Sequence, residues 1–150
     1  MAYNIDRLLG LFEDRDVYLK RLNKKTYESN MQEFRSMYGP EIDGVLQFVS
    51  GSEDIKSAAE SVAEDFSRKA FDKYQKRGKI GGTLMMDINF MMVYYVFPYL
   101  IGQKGEDTQA AAVTAEVLKD KWNEILGCNI SYASYEDLYA GFRKKLFGFF

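Results

Sequence analysis

Histidine is absent from the 150 residues of this chain, and cysteine occurs once, at Cys128. Without an imidazole the chain alone cannot build a Ser-His or Cys-His nucleophile pair, a Glu-x-x-His di-iron site or a His-ligated zinc centre. A lone cysteine cannot form an internal disulfide, which is consistent with a reducing compartment. Only two prolines occur, Pro40 and Pro98, so long uninterrupted helices are favoured.

Neither positive nor negative charge is in large excess. The net charge is −2 and the isoelectric point is near 5.3, a balance that does not predict nucleic-acid binding. Asp6 and Arg7 precede any apolar run, so no secretory signal is predicted and a cytoplasmic protein is expected. The length is that of one domain, and we expect residues 1–150 to form it.

The most apolar stretch of the chain is residues 79–102, KIGGTLMMDINFMMVYYVFPYLIG, which holds four methionines. A helix that is apolar all round is either the centre of a bundle or a membrane span. Residues 84–101 come close to the roughly 20 that a span needs, but they contain Asp87, Asn89 and Pro98. The flanking segments carry apolar stripes that need a partner to pack on. We therefore predict a central core helix at about residues 83–99, and integral membrane insertion is disfavoured.

Apolar residues recur at helical spacing through the rest of the chain, which predicts an all-α, single-domain bundle around that central helix. Thr26 is predicted to cap the second helix, and Gly39-Pro40 to separate it from the third. About seven helices are expected, near residues 4–22 with a break around 14–16, 26–38, 40–49, 53–77, 83–99, 108–126 and from Ser134 onward.

The polar residues of the central helix are candidates for a site. Asp87 and Tyr94 share one helical face and Tyr95 follows, so a pocket lined by Asp87, Tyr94 and Tyr95 is one hypothesis, with Asp87 as an acid or base. Asn89 lies about 200° from Asp87 around the helix. The alternative is that Asp87 and Asn89 each tie the helix to a neighbour, since an unpaired buried polar group costs about 1–3 kcal/mol.

A basic, glycine-containing segment precedes the central helix. Lysines and free backbone amides at a helix start are suited to phosphate or sulfate. The spacing does not match a phosphate-binding P-loop, and the alternative is a basic helix end followed by a turn. The residues of this possible anion site are Lys76, Arg77, Lys79, Gly81, Gly82 and Thr83.

The C-terminal stretch is both basic and aromatic. At helical spacing Phe142, Leu146 and Phe149 share one face, while Phe147 and Phe150 point off it. The five are a possible interface for a homodimer or another protein partner. The alternatives are a helix that folds back over the central helix and one that lies on an anionic membrane.

Three functions remain open from the sequence. The first is a non-catalytic binding or regulatory module that acts through protein partners or through a ligand in a methionine-rich core. The second is an enzyme acting on an anionic or phosphorylated small molecule, and the third is a peripheral membrane or scaffold protein that uses the C-terminal helix. The acidic clusters lack a recognised metal-ligand spacing, so neither a metal nor a cofactor is predicted.

Overall fold

The computed structural model of the protein describes residues 3–20, 22–75, 82–103 and 108–131. Within these ranges the chain is helical and contains no strand, which confirms the all-α prediction. Six helices of these described ranges share one hydrophobic core. The helix predicted from Ser134 lies outside the described residues. The six are α1 (Ile5–Leu9), α2 (Arg15–Leu19), α3 (Lys24–Ser50), α4 (Ile55–Ala70), α5 (residues 82–101) and α6 (Thr108–Leu126).

The first predicted helix is broken, as expected, around residues 14–16. Asn4 caps α1 by accepting a 3.1 Å hydrogen bond from the amide of Arg7. One 3₁₀ turn, Gly10–Phe12, follows α1, and α2 begins at Arg15. The break places the charged side chains of Glu13 and Asp14 in a turn between the two short helices, directly before Arg15, the first residue of α2.

The prediction of two helices separated at Gly39-Pro40 is wrong, because α3 runs through Pro40 without interruption. Pro40 is exposed, so the missing amide costs a hydrogen bond only on the solvent side. That cost, about 3 kcal/mol, is offset because the buried stripe continues on both sides of the proline. The stripe consists of Met31, Phe34, Tyr38, Ile42, Val45, Leu46 and Val49.

Gly39 has a packing role rather than the predicted role of a helix stop. A Cβ atom at this position would lie 2.9 Å from the hydroxyl oxygen of Tyr99, so α5 approaches α3 closely here. The start of α3 also differs from the prediction. Asn23 is the N-cap, and Thr26 is the third helical residue, which completes a reciprocal capping box with Asn23.

Helices α4 and α6 form the most extensive helix pair of the described structure. Their facing surfaces are rich in alanine, which lets the backbones come close, and Phe66 of α4 stacks on Trp122 of α6 at 5.6 Å between ring centroids. Asp54 caps α4, and one π-helical turn, Phe71–Gln75, extends it. The buried alanines are Ala59, Ala63, Ala70, Ala110, Ala111 and Ala115.

Helix α5 contains a π-helical turn, Met92–Val96, between the α-helical segments Gly82–Met91 and Phe97–Ile101. Pro98 lacks the amide that would bond the carbonyl of Tyr94. The hydroxyl of Tyr27, on α3, donates to that carbonyl at 2.6 Å and so replaces the missing bond. The helix therefore continues past the proline and ends before Gly102, where a stop was predicted.

Candidate functional site

Asp87 lies at the edge of the core, beside the start of α2. Its Oδ2 atom is 4.0 Å from Nε of Arg15, and both side chains are about a third exposed. Arg15 also donates from Nη1 to the carbonyl of Phe12 at 3.0 Å. A partly exposed pair at this distance contributes at most about 1 kcal/mol. The arrangement links α5 to the turn before α2.

Tyr95 lies in the centre of an aromatic cluster. Its hydroxyl donates to the carbonyl of Tyr18 at 2.6 Å, and its ring packs 5.3 Å from Tyr18 and 5.5 Å from Phe34. Burial raises the pKa of Tyr95 to about 12, so the phenol is neutral at physiological pH. The hydroxyl is a fixed donor that holds the end of α2 on α5.

Tyr94 is buried on a different side of α5 from Tyr95. Its ring stacks on Phe90 with the planes 9° apart and the centroids 5.4 Å apart. Burial raises the pKa of Tyr94 to about 12. The three residues of the predicted pocket, Asp87, Tyr94 and Tyr95, thus have different neighbours: Arg15, Phe90 and Tyr18.

Asn89 faces α6, opposite to the direction of Asp87. Its Oδ1 atom accepts a 3.0 Å hydrogen bond from Nε1 of Trp122, whose ring is fully buried. The thiol of Cys128 lies beside these two polar groups, and burial raises its pKa. Each polar residue of the α5 centre therefore contacts a neighbouring helix.

Carboxylates and tyrosines also connect the helices, which the sequence analysis did not anticipate. Glu13 accepts a 2.7 Å hydrogen bond from Tyr74 of α4, and Lys73 lies 3.2 Å away. The Tyr74 hydroxyl and Lys73 lower the pKa of Glu13. Asp14 accepts from Tyr38 of α3, and burial together with this carboxylate raises the pKa of Tyr38 well above its usual value.

A third pair of the same kind joins α3 to α5. The hydroxyl of Tyr99 donates to Oδ1 of Asp43 at 2.7 Å, and burial is the main cause that raises the pKa of Tyr99 to about 12. Tyrosine-rich composition was the one available signal for these contacts. In all three pairs a neutral phenol donates to a carboxylate, which is the arrangement of a structural link.

One cavity of about 40 Å³ lies inside the core between α1, α3, α4, α5 and α6. Ligand pockets for metabolites measure about 300–1,000 Å³, so this void is too small for such a molecule. Asp87, Tyr94 and Tyr95 do not line it. Its walls are apolar apart from Thr114: Ile5, Leu8, Leu11, Ile42, Val45, Val62, Ala63, Phe66, Val96, Leu100, Thr114 and Leu118.

The predicted anion site falls mostly beyond the described ranges. Lys76, Arg77, Lys79 and Gly81 lie outside them, and Gly82 and Thr83 form the first residues of α5. The predicted aromatic interface, Phe142, Leu146, Phe147, Phe149 and Phe150, also lies outside. In the ranges that the structure does cover, no group of three acidic or cysteine side chains is arranged to hold a metal ion.

The outward side of α5 is apolar as well as the inward side. Ile88, Met91 and Met92 face the core and are fully buried. Met86 on the opposite side is 49% exposed, and Phe90 and Val93 are half-buried. The last three residues have the spacing i, i+4, i+7, and we call them the outer α5 face. The exposure of this face contradicts the expectation that the central helix is buried on all sides.

Polar side chains border the outer α5 face on both sides. Asp87 lies along one edge and Asn89 along the other, with no polar residue between them on the face. Among the described residues, Leu84–Ile101 is long and apolar enough to cross a membrane, and 44% of it is buried in the core. The core helix of a soluble protein also meets these criteria, so length and composition do not distinguish a core helix from a membrane span.

Comparison with known proteins gives no family for this chain. No family model, curated protein or solved structure matches it.

Proposed function

We propose that this protein is a non-catalytic binding module that acts through protein contacts made by the outer α5 face. The observation that carries the proposal is the exposure of Met86 on a helix face without a polar side chain. Water-exposed helix faces in soluble proteins are normally polar, and contiguous exposed apolar surface usually marks an interaction site. An apolar centre with a polar rim, here Asp87 and Asn89, is the usual composition of a protein interface.

The environment of the titratable groups supports binding rather than catalysis. Asp87 lies 4.0 Å from Arg15, beyond hydrogen-bond distance, and the carboxylates of Glu13, Asp14 and Asp43 accept hydrogen bonds from tyrosines that join helices. None of these four carboxylates lines the cavity that the described residues form in the core, whereas an acid or base catalyst must reach a bound substrate. The small apolar cavity likewise gives no support to a metabolite held in the core.

The partner that we propose is a second copy of this chain, because two-fold homodimers are the commonest closed assembly. In such a dimer Met86 of one protomer would meet the same face of its partner. A charge at this position would then be buried in the interface, at a cost of several kcal/mol. In the monomer the same charge would reach water and change stability by about 0.5 kcal/mol or less.

Sedimentation equilibrium of the full chain tests the proposal. We expect reversible self-association at tens of micromolar, and Met86→Lys should weaken it while leaving the melting temperature unchanged. Met37→Lys is the matched control, because Met37 is similarly exposed, at 43%, but lies on α3. Equal association of the two variants, or a wild-type chain that stays monomeric at all concentrations, would contradict the proposal.

A further inference from the structure

The cavity in the core has α1 as part of its wall. Ile5 and Leu8 of α1 line it, and so do Thr114 and Leu118 of α6. Thr114 is 3% exposed, and its hydroxyl has no hydrogen-bond partner among the described residues. The other lining side chains are all apolar. The cavity is therefore an apolar chamber with one polar side chain in its wall.

The size of the cavity limits what it can hold. An apolar cavity of about 150 Å³ accepts benzene, which has six heavy atoms. At the same space per atom, the 40 Å³ of this cavity accommodates about two heavy atoms. That is the size of a diatomic molecule or of a single large noble-gas atom.

The chemistry of the wall favours an apolar molecule over water. A buried water molecule usually makes about three hydrogen bonds, and apolar cavities stay dry. Among the lining residues only Thr114 has a polar side chain, so a water molecule here would leave most of its hydrogen bonds unmade. An uncharged apolar molecule carries no such cost.

Entry to the cavity requires a movement of one wall, and α1 is the shortest element in that wall. It has five residues, and helices this short are not stable without tertiary contacts. Two ion pairs at the surface hold it, Arg7 with Glu41 of α3 at 3.0 Å and Asp6 with Lys69 of α4 at 3.7 Å. Surface ion pairs contribute little stability, so α1 can open locally while the long helices stay packed.

We propose that this cavity binds an uncharged apolar molecule of about two heavy atoms, such as dioxygen, and that α1 opens to admit it. The α5 residues that line the cavity, Val96 and Leu100, are buried. The outer α5 face takes no part in this site. Failure of this inference and failure of the proposed self-association are therefore independent.

Xenon under pressure is the probe for the site, with methyl NMR of the full chain as the readout. We expect saturable shifts at Leu118, which lines the cavity, and none at its neighbour Val117, which does not line it although the two are 6% and 8% exposed. Val62→Ile adds a methyl group at the wall and should weaken xenon binding about fivefold or more, because little space remains. Val113→Ile is the matched control, since it adds the same group outside the cavity.

The melting temperature of Val62→Ile checks that the fold is intact. Because the added methyl group fills space, this variant should melt no lower than wild type. Shifts that do not saturate, equal shifts at Leu118 and Val117, or equal xenon affinity of the Val62→Ile and Val113→Ile variants would overturn the inference.

Thr114→Val tests whether water occupies the cavity instead. Valine has nearly the shape of threonine but lacks the hydroxyl. Xenon makes no hydrogen bond, so its affinity should change by less than about twofold if the wild-type cavity is dry. A larger gain would mean that xenon displaces a water molecule held by Thr114, and it would overturn the assignment of an apolar ligand.

Dioxygen is tested directly by its paramagnetism. In wild-type protein equilibrated with oxygen, methyl relaxation should be enhanced more at Leu118 than at Val117. Equal enhancement at the two positions would overturn dioxygen as a ligand of this cavity.

The exchange rate of xenon tests the role of α1. Arg7→Gln removes the ion pair with Glu41, so exchange, measured by relaxation dispersion of the Leu118 methyl signals, should become severalfold faster while the affinity changes little. Arg68→Gln is the matched control, because it removes the exposed pair with Glu64 within α4. Equal exchange rates in the two variants would overturn α1 as the entrance.

Discussion

Met91 and Met86 offer a matched pair for testing the two faces of α5. Both are methionines on the same helix, but Met91 has no exposed surface, whereas Met86 is 49% exposed. Replacement of a fully buried methionine by alanine costs about 2–5 kcal/mol, because transfer free energy is lost and a cavity remains. The same change at Met86 should cost about 0.5 kcal/mol or less. The helix propensity of alanine contributes equally to both variants.

Thermal and urea denaturation, both followed by circular dichroism at the helical band, measure the difference in unfolding free energy between the two variants. For a chain of this length each kcal/mol corresponds to about 2–4 °C in melting temperature, so Met91→Ala should melt roughly 4–20 °C below wild type. The urea midpoint should fall without a change in slope. Met91→Lys should be more damaging still, since an unpaired charge would enter the core. If Met91→Ala and Met86→Ala were equally stable, the assignment of the buried face would be wrong.

Two further predictions concern the polar links between helices. Trp122→Phe keeps most of the aromatic packing but removes the hydrogen-bond donor to Asn89, so the unfolding free energy should fall by about 1–3 kcal/mol. In a double-mutant cycle, the same change made in an Asn89→Ala background should lose most of this effect. The folded-state pKa of Glu13 is lowered below its usual 4.5, so its contribution is present above that pH and is lost as the pH falls further. A profile of melting temperature against pH should therefore fall less steeply below about 4.5 for Glu13→Gln than for wild type, and identical profiles would remove the role of the Tyr74 and Lys73 contacts.

Local patterns in the sequence were sufficient to predict the helical class, the break near Asp14 and the helix end at Gly102. The continuation of α3 through Pro40 was not predictable, because it depends on which side of the helix faces water and on the approach of Tyr99 to Gly39. Sequence rules treat Gly-Pro as a boundary since they contain no information on tertiary burial.

The candidate site was less accessible from sequence than the fold. The pattern identified Asp87 and Asn89 as polar groups on opposite sides of α5 but not their partners, because Trp122 is 33 positions from Asn89 along the chain. The tyrosine–carboxylate pairs join positions 24, 61 and 56 residues apart. The exposed methionine side of α5 was missed because an entirely apolar helix gives no periodic signal for which face is covered.

Methyl NMR of the seven methionines tests the central claim, that α5 has a core face and a docking face, most directly. A soluble paramagnetic gadolinium chelate broadens methyl signals that it can approach. In the full chain the signals of Met91 and Met92 should be unaffected and that of Met37 should broaden. In dilute protein Met86 should broaden like Met37, and at concentrations where the chain self-associates Met86 should become protected while Met37 does not. Broadening of Met91, or equal broadening of Met86 and Met37 at every concentration, would contradict the account.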